Sequence, residues 1–369
     1  MSGARTSLSG WLARMGFADV PRAERELARL GITSEDHPAL AAPAQAADPD
    51  LALMGVAQIA ERDPLLVRAM TEDPALRTRL SAVLGVSKAM ADHLARHPED
   101  VAVLRGQDAA RRPDAKTIRQ EFLRAVAADP DNAEPKAGQL ASAKAATTDP
   151  VGALTAAYHR RILHLAARDL VGDATVDEVA EELADLADAV LEAALAIARS
   201  ELPDDAVPVR FAVVAMGKCG ARELNYASDI DVIFIAEPPS ADQHRHDPAS
   251  GEPSDAATLK TATRLATGMI RACERVTPEG SLFPVDPNLR PEGRQGPLVR
   301  SLASHLAYYD RWAKTWEFQA LLKARPAAGD LGLGKRYVAA LTPLVWEASR
   351  RDNFVEDVQA MRRRVIDTL

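Results

Sequence analysis

The chain has 369 residues, 47% of them hydrophobic, 27% charged and only 4% aromatic, which is longer than one hydrophobic core usually organises and predicts two soluble, helix-rich domains. With 45 Lys and Arg against 53 Asp and Glu the net charge is −8, which repels a polyphosphate backbone and excludes generic nucleic-acid binding. The two cysteines, Cys219 and Cys273, exclude a disulfide framework and fit a reducing cytoplasm, and the lack of any run of about 18 apolar residues excludes membrane insertion.

Between Pro21 and Leu104, short helical segments are punctuated by Asp63-Pro64, Asp73-Pro74 and His97-Pro98. In the first two, Asp is placed to cap a helix and Pro to occupy its first position, where the missing N–H costs nothing. Residues 1–126 therefore read as an all-helical domain. Residues 127–150, rich in Ala, Asp, Pro and Lys without a sustained apolar face, read as a loop or linker. A catalytic domain is expected over 151–330 and a further helical region from 331 to 369.

Within the second domain, Gly152 to Asp169 predicts a helix, and Thr175-x-x-Glu178 is a capping box opening another to about Ser200. Its inward face is Val179, Leu183, Leu186, Val190, Ala194 and Ile197. The periodicity then changes. Arg210 to Met216 and Ile230 to Ile235 are apolar runs of strand length. After a polar loop containing His244 and His246, which reads as surface, Leu259, Ala262, Ala266, Met269, Cys273 and Val276 mark one face of a helix, so Cys273 reads as core. Leu282 to Val285 predicts a third strand, restricted by Pro284 to an edge or a strand start. Beyond Ser301 the pattern is helical; Trp316, four residues after Trp312, reads as packing.

Three features between Ala215 and Asp286 carry chemistry. Met216-Gly217-Lys218-Cys219-Gly220 predicts a glycine turn that lets a phosphate approach the backbone, with Lys218 as a point charge. Ser228-Asp229-Ile230-Asp231 opens an apolar strand, and side chains two apart on a strand share a face, so Asp229 and Asp231 can serve one metal. Carboxylate oxygens suit Mg²⁺. Asp286, ending the third strand, supplies another carboxylate, and Arg290 or Arg294 a guanidinium fork for phosphate. Each feature alone is common; their order along one chain is not.

The stretch MGKCGARELNYASDIDVIFI resembles the signature of the DNA polymerase beta-like nucleotidyltransferases. With VDPNLRPEGRQGPLVRS, TWEFQALLKARPAAGD and the helical LSAVLGVSKAMADHLARHPEDVAVL, the chain resembles the bacterial glutamine synthetase adenylyltransferase/adenylyl-removing enzymes. The resemblance implies a predominantly helical α+β fold, in which an all-α domain precedes a catalytic domain with a small mixed sheet and flanking helices. It also implies Mg²⁺ on Asp229, Asp231 and Asp286, nucleotide (ADP or ATP) and phosphate near Gly217, Lys218, Gly220, Ser228 and Arg290, and Trp316, Glu317, Gln319, Lys323 and Arg325 close by. The second glycine of the usual pair is Ala221 here.

In that family two such domains stand in tandem, the first removing AMP from a tyrosine of glutamine synthetase, the second attaching it. One site and a family-like helical start imply the first: phosphorolysis to ADP, with glutamine synthetase as target and a PII-type signal-transduction protein as a second partner. Attachment of AMP from ATP and a non-catalytic docking fragment are the alternatives. Phe354, Val358, Met361, Val365 and Leu369 form an apolar stripe running to the last residue, the mark expected of a truncated chain.

Overall fold

The computed structural model describes residues 7–139, 148–239 and 255–368. His244 and His246 lie outside them. The chain is predominantly helical α+β with a small mixed sheet, as the sequence predicts, and that sheet has five strands among the described residues. It divides into two compact units: residues 1–113 with 158–179, and residues 114–157 with 180–369.

The first unit is helical: α1 (Leu8–Arg14), α2 (Val20–Arg29), α3 (Pro49–Ala60), α4 (Leu66–Glu72), α5 (Pro74–Leu84), α6 (Lys88–Arg96) and short 3₁₀ segments such as Pro98–Leu104. Short side-chain acceptors start these helices. Asp19, Asp48, Asp73 and Ser87 cap α2, α3, α5 and α6, accepting from Arg22, Leu51, Leu76 and Met90 N–H groups. Asp73-Pro74 thus behaves as expected. Asp63 does not: its carboxylate takes the N–H of Leu65 in a turn, and α4 begins after that turn without a side-chain cap. Leu12, Leu27, Val56, Leu80, Leu94, Leu104 and Leu163 belong to one buried apolar cluster.

The second unit contains α7 (Ala115–Ala125) and most of α9 (Val176–Ser200); α8 (Pro150–Leu170) contributes its first residues here and the rest to the first unit. The capping box forms as read: the Thr175 hydroxyl accepts from Glu178 N–H at 3.3 Å, and the Glu178 carboxylate accepts from Thr175 N–H at 2.8 Å. The predicted inward residues of α9 are all buried, but so is nearly every residue from 182 to 199. A single apolar stripe therefore underdescribes this helix.

The sheet comprises β1 (Arg210–Ala215), β2 (Ile230–Glu237), β3 (Val285–Asp286), β4 (Val299–Arg300) and β5 (Arg325–Gly329). Its order is β3-β2-β1-β5, with β4 also on β2. β1 runs antiparallel to β2 and β5, while β3 and β4 run parallel to β2. Both faces of β1 and β2 are buried, which is why their sequences read as continuous apolar runs instead of alternating. On one face Val214, Met216, Ile233 and Ile235 pack with residues of α12 (Leu302–Arg311), α13 (Thr315–Leu321) and α14 (Leu331–Ala348).

Three expectations need correction. The glycine turn is the short helix α10 (Gly217–Ala221), although its first residue keeps the left-handed φ of +52°. The third strand is Val285–Asp286, because the preceding Pro284 lacks the N–H a ladder needs. Val276 lies beyond α11 (Asp255–Glu274) and is 80% exposed, whereas Cys273 is in the core as read. Burial pushes the Cys219 and Cys273 thiols up to about 12, so neither is a nucleophile at neutral pH. In α15 (Phe354–Thr368) Phe354, Val358 and Met361 are half-buried; the Val365 side chain and Leu369 lie outside the described residues.

Candidate active site

The three acids meet. One oxygen from each of Asp229, Asp231 and Asp286 lies within 4.8 Å of the others. The sheet register does this: Asp231 stands opposite Asp286 in the parallel β2–β3 pair, and Asp229 is two residues upstream on the same strand direction. Asp286 is held by the N–H of Asn288, 2.7 Å from its Oδ1. Burial, then the Asp229 and Asp286 charges, push the Asp231 carboxyl up to about 6, against the pull of Lys218. Three negative oxygens this close repel one another, and a divalent cation shared among them removes that cost.

Gly217 abuts the acids. Its φ is +52°, and a Cβ there would come within 2.2 Å of Asp231 Oδ2. Only a residue without a side chain lets α10 sit this close to the carboxylate. Met216 N–H donates to Asp231 O at 2.8 Å, tying the start of α10 to the same residue from the backbone side. Gly220 is needed for a different reason, since a Cβ would come within 2.0 Å of Lys323 O and 2.7 Å of Ala215 O. Its N–H is engaged by Met216 O at 2.8 Å.

Lys218 Nζ donates to Asn225 Oδ1 at 3.0 Å, and Asn225 in turn donates to Ala227 O at 3.2 Å. Ser228 Oγ donates to Asp229 O at 2.9 Å. Arg290 is fastened to its own loop, its Nη1 donating to Pro287 O at 2.9 Å and its Nη2 to Gly296 O at 3.3 Å. The loop that follows Asp286 is thus shaped by its own arginine.

The residues expected nearby have separate partners. Glu317 is buried, accepting from Lys314 N–H at 2.7 Å and from Tyr308 OH at 2.9 Å, so it caps α13. Lys323 Nζ donates to Glu223 at 2.7 Å. Trp316 and Gln319, on α13, are half-buried. Arg325 ends in a fork on Asp188 of α9, one arm at 2.9 Å, and donates to Cys219 O at 3.1 Å and Gly220 O at 3.3 Å. It fastens the last carbonyls of α10 to α9.

Asp188 was not read from the sequence. A signal was present: Glu182, Asp185, Asp188 and Glu192 recur at helical spacing within a stretch that is otherwise apolar. Asp185 accepts from Arg222 at 2.7 Å, and Glu192 from Gly329 N–H at 2.8 Å. This acidic stripe anchors α10 and β5 to α9.

Among the described residues no helix is long and apolar enough to cross a membrane. A family model described as glutamate-ammonia ligase adenylyltransferase matches residues 77–339. The chain is 50% identical over 99% of its length to the bifunctional glutamine synthetase adenylyltransferase/adenylyl-removing enzyme of Streptomyces avermitilis, and 48% identical over its full length to that of Streptomyces coelicolor, covering 34% of each. To the Mycobacterium tuberculosis enzyme it is 42% identical over 96% of its length, covering 33% of that protein. It therefore spans about a third of the length of the curated relatives it matches. On the extent of the family match and these identities, the chain belongs to the glutamate-ammonia ligase adenylyltransferase family.

Proposed function

We propose that this chain carries a Mg²⁺-dependent nucleotidyltransferase site that removes AMP from an adenylylated tyrosine of glutamine synthetase by phosphorolysis. The observation that carries the proposal is the convergence of Asp229, Asp231 and Asp286 within 4.8 Å beside Gly217. Three hard oxygen donors, one of them half-buried and raised in pKa by burial and then by the neighbouring carboxylates, fit Mg²⁺. Bound there, Mg²⁺ would offset charge on the transferred phosphoryl group and on the departing oxygen.

The reaction forms a bond from a phosphate oxygen to the AMP phosphorus and breaks the bond from that phosphorus to the tyrosine oxygen, giving ADP and the free side chain. A phenol of pKa about 10 leaves as a phenolate without a strong general acid, and no neutral acid is required of this site. Asp229, just before β2, and Asp231, within it, would hold the ion. Asp286, fixed by Asn288 N–H, completes the set. Lys218, aligned by Asn225, contributes positive charge toward phosphate oxygens, the Gly217–Gly220 segment leaves room for them, and Ser228 steadies the backbone at Asp229. Arg290 shapes the loop after Asp286 and reaches phosphate only by giving up a carbonyl.

The direction rests on the helical region preceding the site, which resembles the region before the first of the family's two domains. In the reverse reaction tyrosine attacks ATP, and Asp286 accepts the phenolic proton. The test incubates adenylylated glutamine synthetase with the chain, Mg²⁺ and inorganic phosphate. ADP formation, abolished by Asp229→Asn with Asp231→Asn, supports removal. Pyrophosphate released from ATP supports attachment. Glutamine synthetase binding without either product supports a docking fragment. A PII-type protein is the second partner the resemblance implies, tested by co-elution with the chain.

A further inference from the structure

The transfer chemistry leaves unused a group of imidazoles in the first unit. His93, in the last turn of α6, and His97, at its C-terminal cap, are four residues apart, and their ring centres are 5.0 Å apart. His159 of α8 stands edge-on to His93 with ring centres 5.8 Å apart. A ring nitrogen of His93 and one of His97 lie within 4.8 Å of each other. Two imidazoles sharing a tetrahedral ion, with metal–nitrogen bonds of about 2.0–2.1 Å, have centres roughly 5 Å apart.

The two ring nitrogens of His93 face different surroundings. His93 is fully buried, and its Nε2 stands 2.9 Å from Asp100 Oδ2. Arg160 stands 3.9 Å from the other oxygen of Asp100. An ionised carboxylate only accepts, so Nε2 carries the proton and Nδ1 a lone pair. That Nδ1 is buried and has no hydrogen-bond partner. A buried acceptor without a donor is unfavourable, and a carboxylate on the far nitrogen is the arrangement that orients a metal-binding histidine. His97, a quarter exposed, opens the pair to solvent.

We infer that His93 and His97, with His159 beside them and Asp100 orienting His93, bind a divalent transition-metal ion of the Zn²⁺ class. Imidazole nitrogen suits Zn²⁺ and Co²⁺ over Mg²⁺, so this site and the acidic cluster select different ions.

Zn²⁺ binding to the 369-residue chain is measured by calorimetry in the Asp229→Asn, Asp231→Asn background, which removes two of the three acidic ligands. The expected result is one Zn²⁺ per chain, with affinity at least tenfold weaker in His97→Ala and about 10–100-fold weaker in Asp100→Asn. Co²⁺ in place of Zn²⁺ is expected to give the strong visible absorption of a nitrogen-bound, low-coordinate ion, lost in His97→Ala. If His97→Ala loses its helical circular dichroism, His97→Gln, which keeps bulk but not imidazole, carries the same expectation. Unchanged affinity in the His97 variant that folds, or a Co²⁺ spectrum no different from the hexa-aquo ion, overturns the assignment.

Discussion

Replacing Gly217 by alanine tests the link between α10 and the acids most directly. Two costs separate cleanly. The left-handed backbone at φ +52° costs about 1–2 kcal/mol for any residue with a Cβ. The new methyl group would also lie 2.2 Å from Asp231 Oδ2, where ordinary contact begins at 3.4 Å, so the carboxylate must retreat by more than 1 Å. Binding constellations tolerate displacements of only about 0.5 Å, so the second cost falls on metal affinity, not on folding alone. Gly138→Ala is the control, because its φ is +79° but nothing lies within 4 Å of the added methyl. The assay is thermal unfolding with and without Mg²⁺. A ligand at 100 times its dissociation constant stabilises by about 2.7 kcal/mol. Gly138→Ala is expected to lose stability and keep the full Mg²⁺ increment, whereas Gly217→Ala loses most of the increment as well. A Gly217→Ala chain whose Mg²⁺ increment equals that of Gly138→Ala would refute the reasoning.

Removing one member of the Arg325–Asp188 pair leaves a partly buried charge unpaired, at a cost on the order of 3 kcal/mol. Asp188→Asn leaves the Arg325 bonds to Cys219 O and Gly220 O in place, so its effect is confined to denaturant stability. Arg325→Ala releases α10 and is expected to weaken Mg²⁺ binding too; equal Mg²⁺ affinity in both variants would rule out the positioning role. Burial lowers the His305 imidazole to about 4, with His164 likewise lowered to about 4. Both folded values lie below the ordinary 6.5, so their contribution is complete above pH 6.5 and falls away as pH drops through about 4. The loss is about 3 kcal/mol for His305, and urea titrations of His305→Phe are expected to show a shallower decline over that window. Thr175→Ala removes half of the capping box that opens α9 and is expected to cost about 1 kcal/mol, read as a lower urea midpoint at unchanged slope.

Local chemistry wrote much of this protein into its sequence. The capping box at Thr175, the strand runs around Val213 and Ile233, the buried Cys273 and the glycine-then-acids order were all legible, because each depends on neighbours within a few residues. β5 was not. Arg325-Pro-Ala-Ala-Gly329 has neither alternation nor β-branched residues, and it is a strand because β1 offers it an edge, with a register shift between Val213 and Val214 that leaves Ala327 without a partner position. β4 is too short to show any period. Tertiary structure alone decided that Asp286 stands opposite Asp231, 55 positions earlier in the chain, and that Arg325 reaches Asp188 across 137 positions. Periodicity reports which face of an element is buried, but not which element buries it, and the partners of a charged group come from that second choice.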